Sequence, residues 1–224
     1  RGASLALVAR RAEALEAVRA DCGADAIAVV ADVTSRADVA RVVQTSVERF
    51  GHIDVWINNA GRGISRAPSE LTDADIDSMM QVNVKSALYG MQEVLPHFKA
   101  RGAGHIINVS SMLGRVPFAV HRSAYSGAKH FLNALTAMFR AEVQSTHPGS
   151  QVSLVSPGVV ATDFGNNAIH GGEDSRALAG AQSAEEVAAV MVSVIETRQP
   201  DVYTRPEGHA LIARYYAADP IGAL

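Results

Sequence analysis

The chain has 224 residues, 48% of them apolar and 5% aromatic, with a formal net charge of −3. That length suits one domain with a sizeable core, and the balanced charge offers no polybasic surface for nucleic acid or an anionic membrane. The single cysteine, Cys22, excludes an internal disulfide, and the scattered histidines lack HxH, HxxH or HExxH spacing, so no metal site is expected.

The longest apolar runs, such as "LALVA", "IAVV" and "HIINV", are of strand length and far short of a membrane span. No signal-peptide pattern is present, so the cytoplasm is the expected compartment. In chain order, strands are expected at Ser4 to Ala9, Ala26 to Ala31, Ile53 to Asn58, His105 to Val109, Val152 to Val155 and Val202 to Tyr203. Most are apolar on both faces, as parallel strands covered by helices on each side must be. Helical patterns fill the intervals: Arg11 to Asp21, the stripe Val39, Val42, Val43, Val47 and Phe50, then Thr72 to about Ala100, Tyr125 to about Thr146, and Ser183 to Glu196. Ser183 with Glu186 reads as a capping box, and Thr72 with Asp75 as a weaker relative. The Gly- and Asn-rich stretch Asp163 to Gln182 is the least regular and reads as a mobile flap.

This alternation predicts one α/β domain, a doubly wound parallel sheet with helices on both faces. Such sheets bind ligands beyond the carboxyl ends of their strands. The loops there hold Asn58-Asn59-Ala60-Gly61, then Ser110-Ser111, then Ser156-Pro157-Gly158 with Thr162. Each taken alone is also compatible with an ordinary turn. Tyr125 and Lys129 stand one helical turn apart, in a chain with only three lysines. A phenol with a pKa of about 10 exchanges protons poorly near neutrality, and a neighbouring ammonium favours its ionised form. The pair therefore suits proton exchange with an alcohol or carbonyl oxygen, with a serine hydroxyl to hold that oxygen.

Together, Asn58-Asn59-Ala60-Gly61, Asn83 in "MQVNVKS", Asn108 to Ser111, Tyr125-x-x-x-Lys129, and Pro157-Gly158 with Thr162 resemble the short-chain dehydrogenase/reductase family in its single-domain branch. The resemblance implies a Rossmann-type fold and hydride transfer between a nicotinamide cofactor and a carbonyl or secondary alcohol. It implies Ser111 as the substrate-orienting hydroxyl, Tyr125 as general acid/base, and Lys129 as its electrostatic partner and a ribose ligand. Asn83 resembles the asparagine that interrupts the long helix and holds a relay water. Asp32 and Val33 would meet the adenine, Asn59, Ala60 and Gly61 would line the cofactor cleft, and Pro157, Gly158, Val160 and Thr162 would lie at the nicotinamide end. Homodimers or homotetramers would form through the two long helices. A sugar-nucleotide epimerase or dehydratase fits less well, because those usually carry a larger C-terminal domain. A non-catalytic dinucleotide-binding regulator of the same fold is the alternative.

Two departures stand out. Ser111 precedes Tyr125 by fourteen positions, one more than is usual in the family. The family's glycine-rich TGxxxGxG turn has no counterpart, and "RGASLALVARR" reads as a helix end followed by a second strand. The expectation is that roughly 20 or more residues carrying the first strand and the phosphate loop are missing from this sequence. The strand "LALVA" is followed by Arg10 and Arg11 rather than a carboxylate, which favours NADP(H) over NAD(H). Met112, Leu113, Phe118 and Phe164 would give an apolar substrate pocket, with His121, Arg122 and Asn166 as its polar options.

Overall fold

The computed structural model describes residues 2–218. Among them the order is β1 (Leu5–Ala9), α1 (Ala12–Cys22), β2 (Ala26–Val30), α2 (Arg36–Phe50), β3 (Val55–Asn58), α3 (Asp73–Met80), α4 (Ser86–Arg101), β4 (Gly104–Val109), α5 (Ser123–Thr146), β5 (Ser150–Ser156), α6 (Ala184–Thr197), β6 (Asp201–Tyr203) and α7 (Gly208–Ala217). Every ladder is parallel, as the two-sided apolar strands require. The capping boxes are formed at both expected places, Thr72 with Asp75 at α3 and Ser183 with Glu186 at α6. Each satisfies two otherwise unpaired donors at a helix start.

The strands fall into two sheets, one with the order β1-β2 and one with the order β3-β4-β5-β6. In register, Asn58 of β3 stands beside Asn108 of β4, and Asn108 beside Leu154 of β5. One face of the larger sheet is covered by α4 and α5. Met91, Val94, Phe98, Ile106, Val143 and Val152 interlock there, with Val43 and Val47 of α2 packed against them. Each such buried side chain contributes about 1.5–3 kcal/mol. The opposite face packs Ile107 and Val155 against Val194 of α6. Trp56 on β3 touches both this core and the smaller cluster of Val29, Ala31 and Val42, so it joins the two sheets by packing rather than by a ladder.

Three features differ from the sequence pattern. The expected helix from Thr72 to Ala100 is continuous, but residues Gln81–Lys85 form a π-helical turn between α3 and α4. Helix α7 is not among the expected elements; it is only ten residues long and has no side-chain N-cap to mark its start. The stretch from Asp163 to Gln182 is irregular as expected, yet it is tied down along its length. Ile169 bridges Ile64, and Val160 bridges Gln182. Asp75, at the start of α3, holds both Arg66 (3.0 Å) and His170 (2.8 Å). The backbone N–H of Thr72 and then His170 keep the Asp75 carboxyl well below the usual carboxylate range.

Candidate active site

The site lies where β4 ends and α5 begins. Ser110 and Ser111 follow β4, and two short 3-10 turns, Met112–Gly114 and Val120–Arg122, lead into α5. The extra residue between Ser111 and Tyr125 is absorbed in this connection. The first turn is fastened to α5 by three contacts: Ser126 Oγ donates to Leu113 O (2.5 Å), Asn133 Nδ2 donates to Gly114 O (2.7 Å), and Ser110 Oγ donates to Asn133 Oδ1 (2.5 Å). The glycine at 114 permits the approach, because a Cβ there would stand 2.9 Å from Lys129 Cβ. Ser110 is thereby spent on structure. Ser111 Oγ accepts from Leu113 N–H (3.1 Å) and hydrogen-bonds the Tyr125 hydroxyl.

Tyr125 and Lys129 are both buried, with 6% and 3% of their surfaces exposed. Lys129 Nζ stands 5.7 Å from the centre of the Tyr125 ring and donates to Val109 O (2.9 Å). Burial pushes the Tyr125 phenol up to about 12, opposed by the Ser111 hydrogen bond and the Arg122 charge. Burial pushes Lys129 down to about 8. The sequence led us to expect that the lysine would draw the phenol downward. In the folded chain desolvation outweighs the neighbouring charges, so the phenol is neutral across the physiological range.

Asn83 sits in the π-helical turn, 1% exposed. Its Nδ2 donates to Arg62 O (3.0 Å) and Met79 O (3.2 Å), and Arg62 N–H donates to its Oδ1 (3.1 Å). A π turn leaves helical carbonyls without their usual partners, and Asn83 uses this to grip the loop after β3. A Cβ on Gly61 would lie 2.9 Å from Asn83 Oδ1 and 3.6 Å from Lys129 Nζ. The Asn59-Ala60-Gly61 turn is therefore laid directly beside Lys129, with its own residues exposed. Asn83, Ser111, Tyr125, Lys129 and Gly61 are thus brought together from four parts of the chain.

The nicotinamide-end candidates form a second wall. Met112 N–H donates to Pro157 O (2.8 Å), Ala161 N–H to Gln182 O (2.8 Å), and Gln182 N–H to Val159 O (2.9 Å). These bonds hold Pro157, Gly158, Val160 and Thr162 in a fixed loop, with Val160 and Thr162 partly exposed. The adenine-end candidates lie on the other sheet. Asp32 Oδ1 accepts from Thr34 N–H (2.9 Å) and Thr34 Oγ1 (2.7 Å), which lower its pKa, with Arg10 adding a smaller pull. Val33 is half-buried beside it, and Arg10 and Arg11 are exposed.

Of the substrate-pocket candidates, Phe164 meets Tyr125 edge-on at 5.5 Å, Met112 is buried, and Leu113 packs against the Tyr125 cluster. Phe118 is 57% exposed, and Asn166 is spent on Asp163 and Asp174. The His121 side chain is exposed, while Arg122 lies beside Tyr125. A polar chain beneath the site carries no signal in the sequence pattern. Trp56 Nε1 donates to Asn58 Oδ1 (2.8 Å), Asn58 Nδ2 donates to Asn108 Oδ1 (2.7 Å), and Asn108 Nδ2 donates to Thr136 Oγ1 (2.9 Å).

A parallel sheet wound on both faces, with a hydroxyl, a phenol and an ammonium gathered at its carboxyl rim, defines a Rossmann-type domain with a candidate site at the strand ends. Residues 1–171 match the sequence model of the short chain dehydrogenase family. An uncharacterized oxidoreductase of Staphylococcus saprophyticus is 35% identical over 164 residues, an alignment covering 73% of this chain and 66% of that protein. The chain thus spans just under two thirds of that relative's length. A second uncharacterized oxidoreductase, from Staphylococcus aureus strain MW2, is 31% identical over 211 residues, covering 92% of this chain and 87% of that protein. The chain belongs to the short-chain dehydrogenase family. Among solved structures, a short chain dehydrogenase/reductase from Burkholderia phymatum in complex with NAD superposes with a TM-score of 0.85 at 23% identity, covering 94% of this chain and 83% of that one. A closed form of serine dehydrogenase complexed with NADP+ gives 0.80 at 25% identity, covering 90% and 84%.

Proposed function

We propose that this chain transfers a hydride between a nicotinamide dinucleotide and a carbonyl or secondary alcohol of modest size, with Tyr125 exchanging the proton. The observation that carries the reading is the buried cluster of Ser111, Tyr125 and Lys129 behind an exposed Asn59-Ala60-Gly61 turn. When bound, the nicotinamide ring would supply or accept the hydride. Ser111 donates to the substrate oxygen and orients it, and the neutral Tyr125 phenol delivers its proton to that oxygen. Lys129, charged at neutral pH, stabilises the phenolate left behind. Asn83 is a positioning residue that holds the Arg62 backbone and, through it, the turn beside Lys129.

The cofactor fits the residues present. The absence of a Cβ at Gly61 leaves room against Asn83 and Lys129, so Asn59, Ala60, Gly61, Tyr125 and Lys129 would hold the nicotinamide ribose. Pro157, Gly158, Val160 and Thr162 would meet the nicotinamide, and Asp32, Val33, Arg10 and Arg11 the adenosine half. Asp32 keeps Oδ2 free of the Thr34 contacts. The two solved relatives described above hold NAD in one case and NADP+ in the other. The exposed guanidinium of Arg10 favours NADP(H) here. Phe131 and Met138, exposed seven positions apart on α5, offer an apolar face for a homodimer or homotetramer.

The test is a panel of carbonyls and alcohols with NADH, NADPH and their oxidised forms, run beside Tyr125→Phe. Turnover by the wild type that vanishes in the variant, while nucleotide binding persists, is the expected result. Nucleotide binding without turnover of any carbonyl or alcohol would favour the regulator.

A further inference from the structure

Arg122 occupies the last position before α5, three residues ahead of Tyr125. Its Nη1 donates to Ile64 O (3.0 Å), its only side-chain hydrogen bond among the described residues, while its backbone N–H donates to Ala119 O (2.9 Å). The guanidinium runs through a slot made by two distant glycines. A Cβ on Gly63 would stand 2.7 Å from Nη1, and one on Gly172 would stand 2.9 Å from Nη2. The slot therefore lies between the loop after β3 and the segment folded over Tyr125.

A partly desolvated cation normally has a carboxylate against it. Arg122 has no ion-pair partner among the described residues, Glu173 beside Gly172 is exposed and makes no ion pair with it, and three other acids are paired elsewhere. Asp163 and Asp174 pair with Arg176, and Asp75 with Arg66 and His170. The group that feels the Arg122 charge is the Tyr125 hydroxyl. The chain thus holds an uncompensated, fork-shaped donor next to the hydroxyl that would meet the reacting oxygen. A guanidinium matches a carboxylate through two parallel N–H bonds, and Nη2 and Nε are free of protein acceptors here.

We propose that Arg122 binds a carboxylate of the substrate, and that the preferred substrate is an oxo acid or hydroxy acid with its acid group close to the reacting carbon. This rests on the oxidoreductase reading above. Phe164, Met112 and Leu113 supply the apolar surface for the short carbon skeleton between the two groups.

The experiment compares short 2- and 3-oxo acids with their methyl esters in the presence of NADPH or NADH, for the wild type, Arg122→Gln and Arg122→Lys. The wild type is expected to favour the acids by about tenfold or more in kcat/KM, because an ester leaves the guanidinium without a charged partner. Arg122→Gln is expected to collapse that ratio towards one, chiefly through KM of the acid, and Arg122→Lys to restore part of it. Butyrate, which cannot be reduced, is expected to compete with the acids in the wild type, a measurement that needs no variant to fold. The proposal is overturned if the esters are used as well as the acids, or if Arg122→Gln lowers both equally, as loss of the Ile64 clamp alone would do. Turnover of neutral carbonyls but of no acid overturns the proposal and leaves the oxidoreductase reading standing. No turnover of any compound with either nucleotide removes both.

Discussion

The two sheets are built from similar strands but live in different surroundings. In the larger, β4 and β5 are buried almost end to end, and each has a hydrogen-bonded strand on both sides. In the smaller, β1 and β2 pair with each other among the described residues, and each is followed by a turn that carries adenosine-end candidates. The residues proposed for proton transfer hang on the first, and those proposed for the adenosine half on the second. The difference teaches where preorganisation resides. Tyr125 and Lys129 must be held within fractions of an ångström, so they stand on a packed helix whose neighbours cannot yield. Arg10 and Asp32 need only present charge to a polar group, which asks less of the packing beneath them.

The sharpest way to break this contrast is to remove the phenol. Tyr125→Phe is expected to lower kcat by about 10²–10⁴-fold, the range of general acid catalysis, with either nucleotide alike. The nucleotide dissociation constant, followed by fluorescence titration, should stay near the wild-type value. A variant that loses affinity and turnover together would mean that the two halves are not separable.

The next effect is on pH. Tyr125 stays protonated to about 12, so it does not set the alkaline arm of reduction. Lys129, brought down to about 8 by burial, loses its proton as the pH rises through that value. Its charge, and the stabilisation of the phenolate, are present below that pH and lost above it. The carbonyl reduction rate is therefore expected to be flat from pH 6 to 7.5 and to fall by about tenfold per unit well above 8. An arm centred near pH 10 or higher would assign the titration to another group.

Much of the larger sheet was legible in the sequence because its signals are local. The spacing of Tyr125 and Lys129, the serine pair after β4, and the apolar run of β4 survive in a single pass along the chain. What could not be read depends on partners far away. Arg122 gains its slot from Gly63 and Gly172, more than a hundred positions apart. The pinning of the Asp163 to Gln182 segment depends on Asp75, some ninety-five positions before His170. The direction of the Tyr125 shift is not legible in the sequence for the same reason. The lysine is visible one turn away, whereas the burial that outweighs it comes from the whole fold.

The seam beneath the site offers a smaller test. Gly90 of α4 faces the Asn58 carboxamide, and a Cβ there would overlap Asn58 Oδ1. Gly90→Ala must displace Asn58 from Trp56 or from Asn108, at a cost of about 1–3 kcal/mol for overpacking. Urea denaturation should show a lowered midpoint with an unchanged slope. The same substitution at Gly127, where an added Cβ meets nothing within 4 Å, should leave the midpoint unchanged or raised, since alanine favours a helix.

The smallest expected effect lies on the smaller sheet. Arg10 is exposed and lends a modest pull to Asp32, which is mainly engaged by Thr34. A 2′-phosphate would meet this guanidinium in water, where a single charge contact is worth little more than 1 kcal/mol. Arg10→Glu is therefore expected to raise KM for NADPH by about tenfold while KM for NADH moves less, and to leave kcat with saturating nucleotide near the wild-type value. A wild type that uses NADH better than NADPH would take away the role given to Arg10. A change in kcat of the same size as the change in KM would show that the exposed turn reaches the chemistry after all, and the division of labour between the two sheets would fail with it.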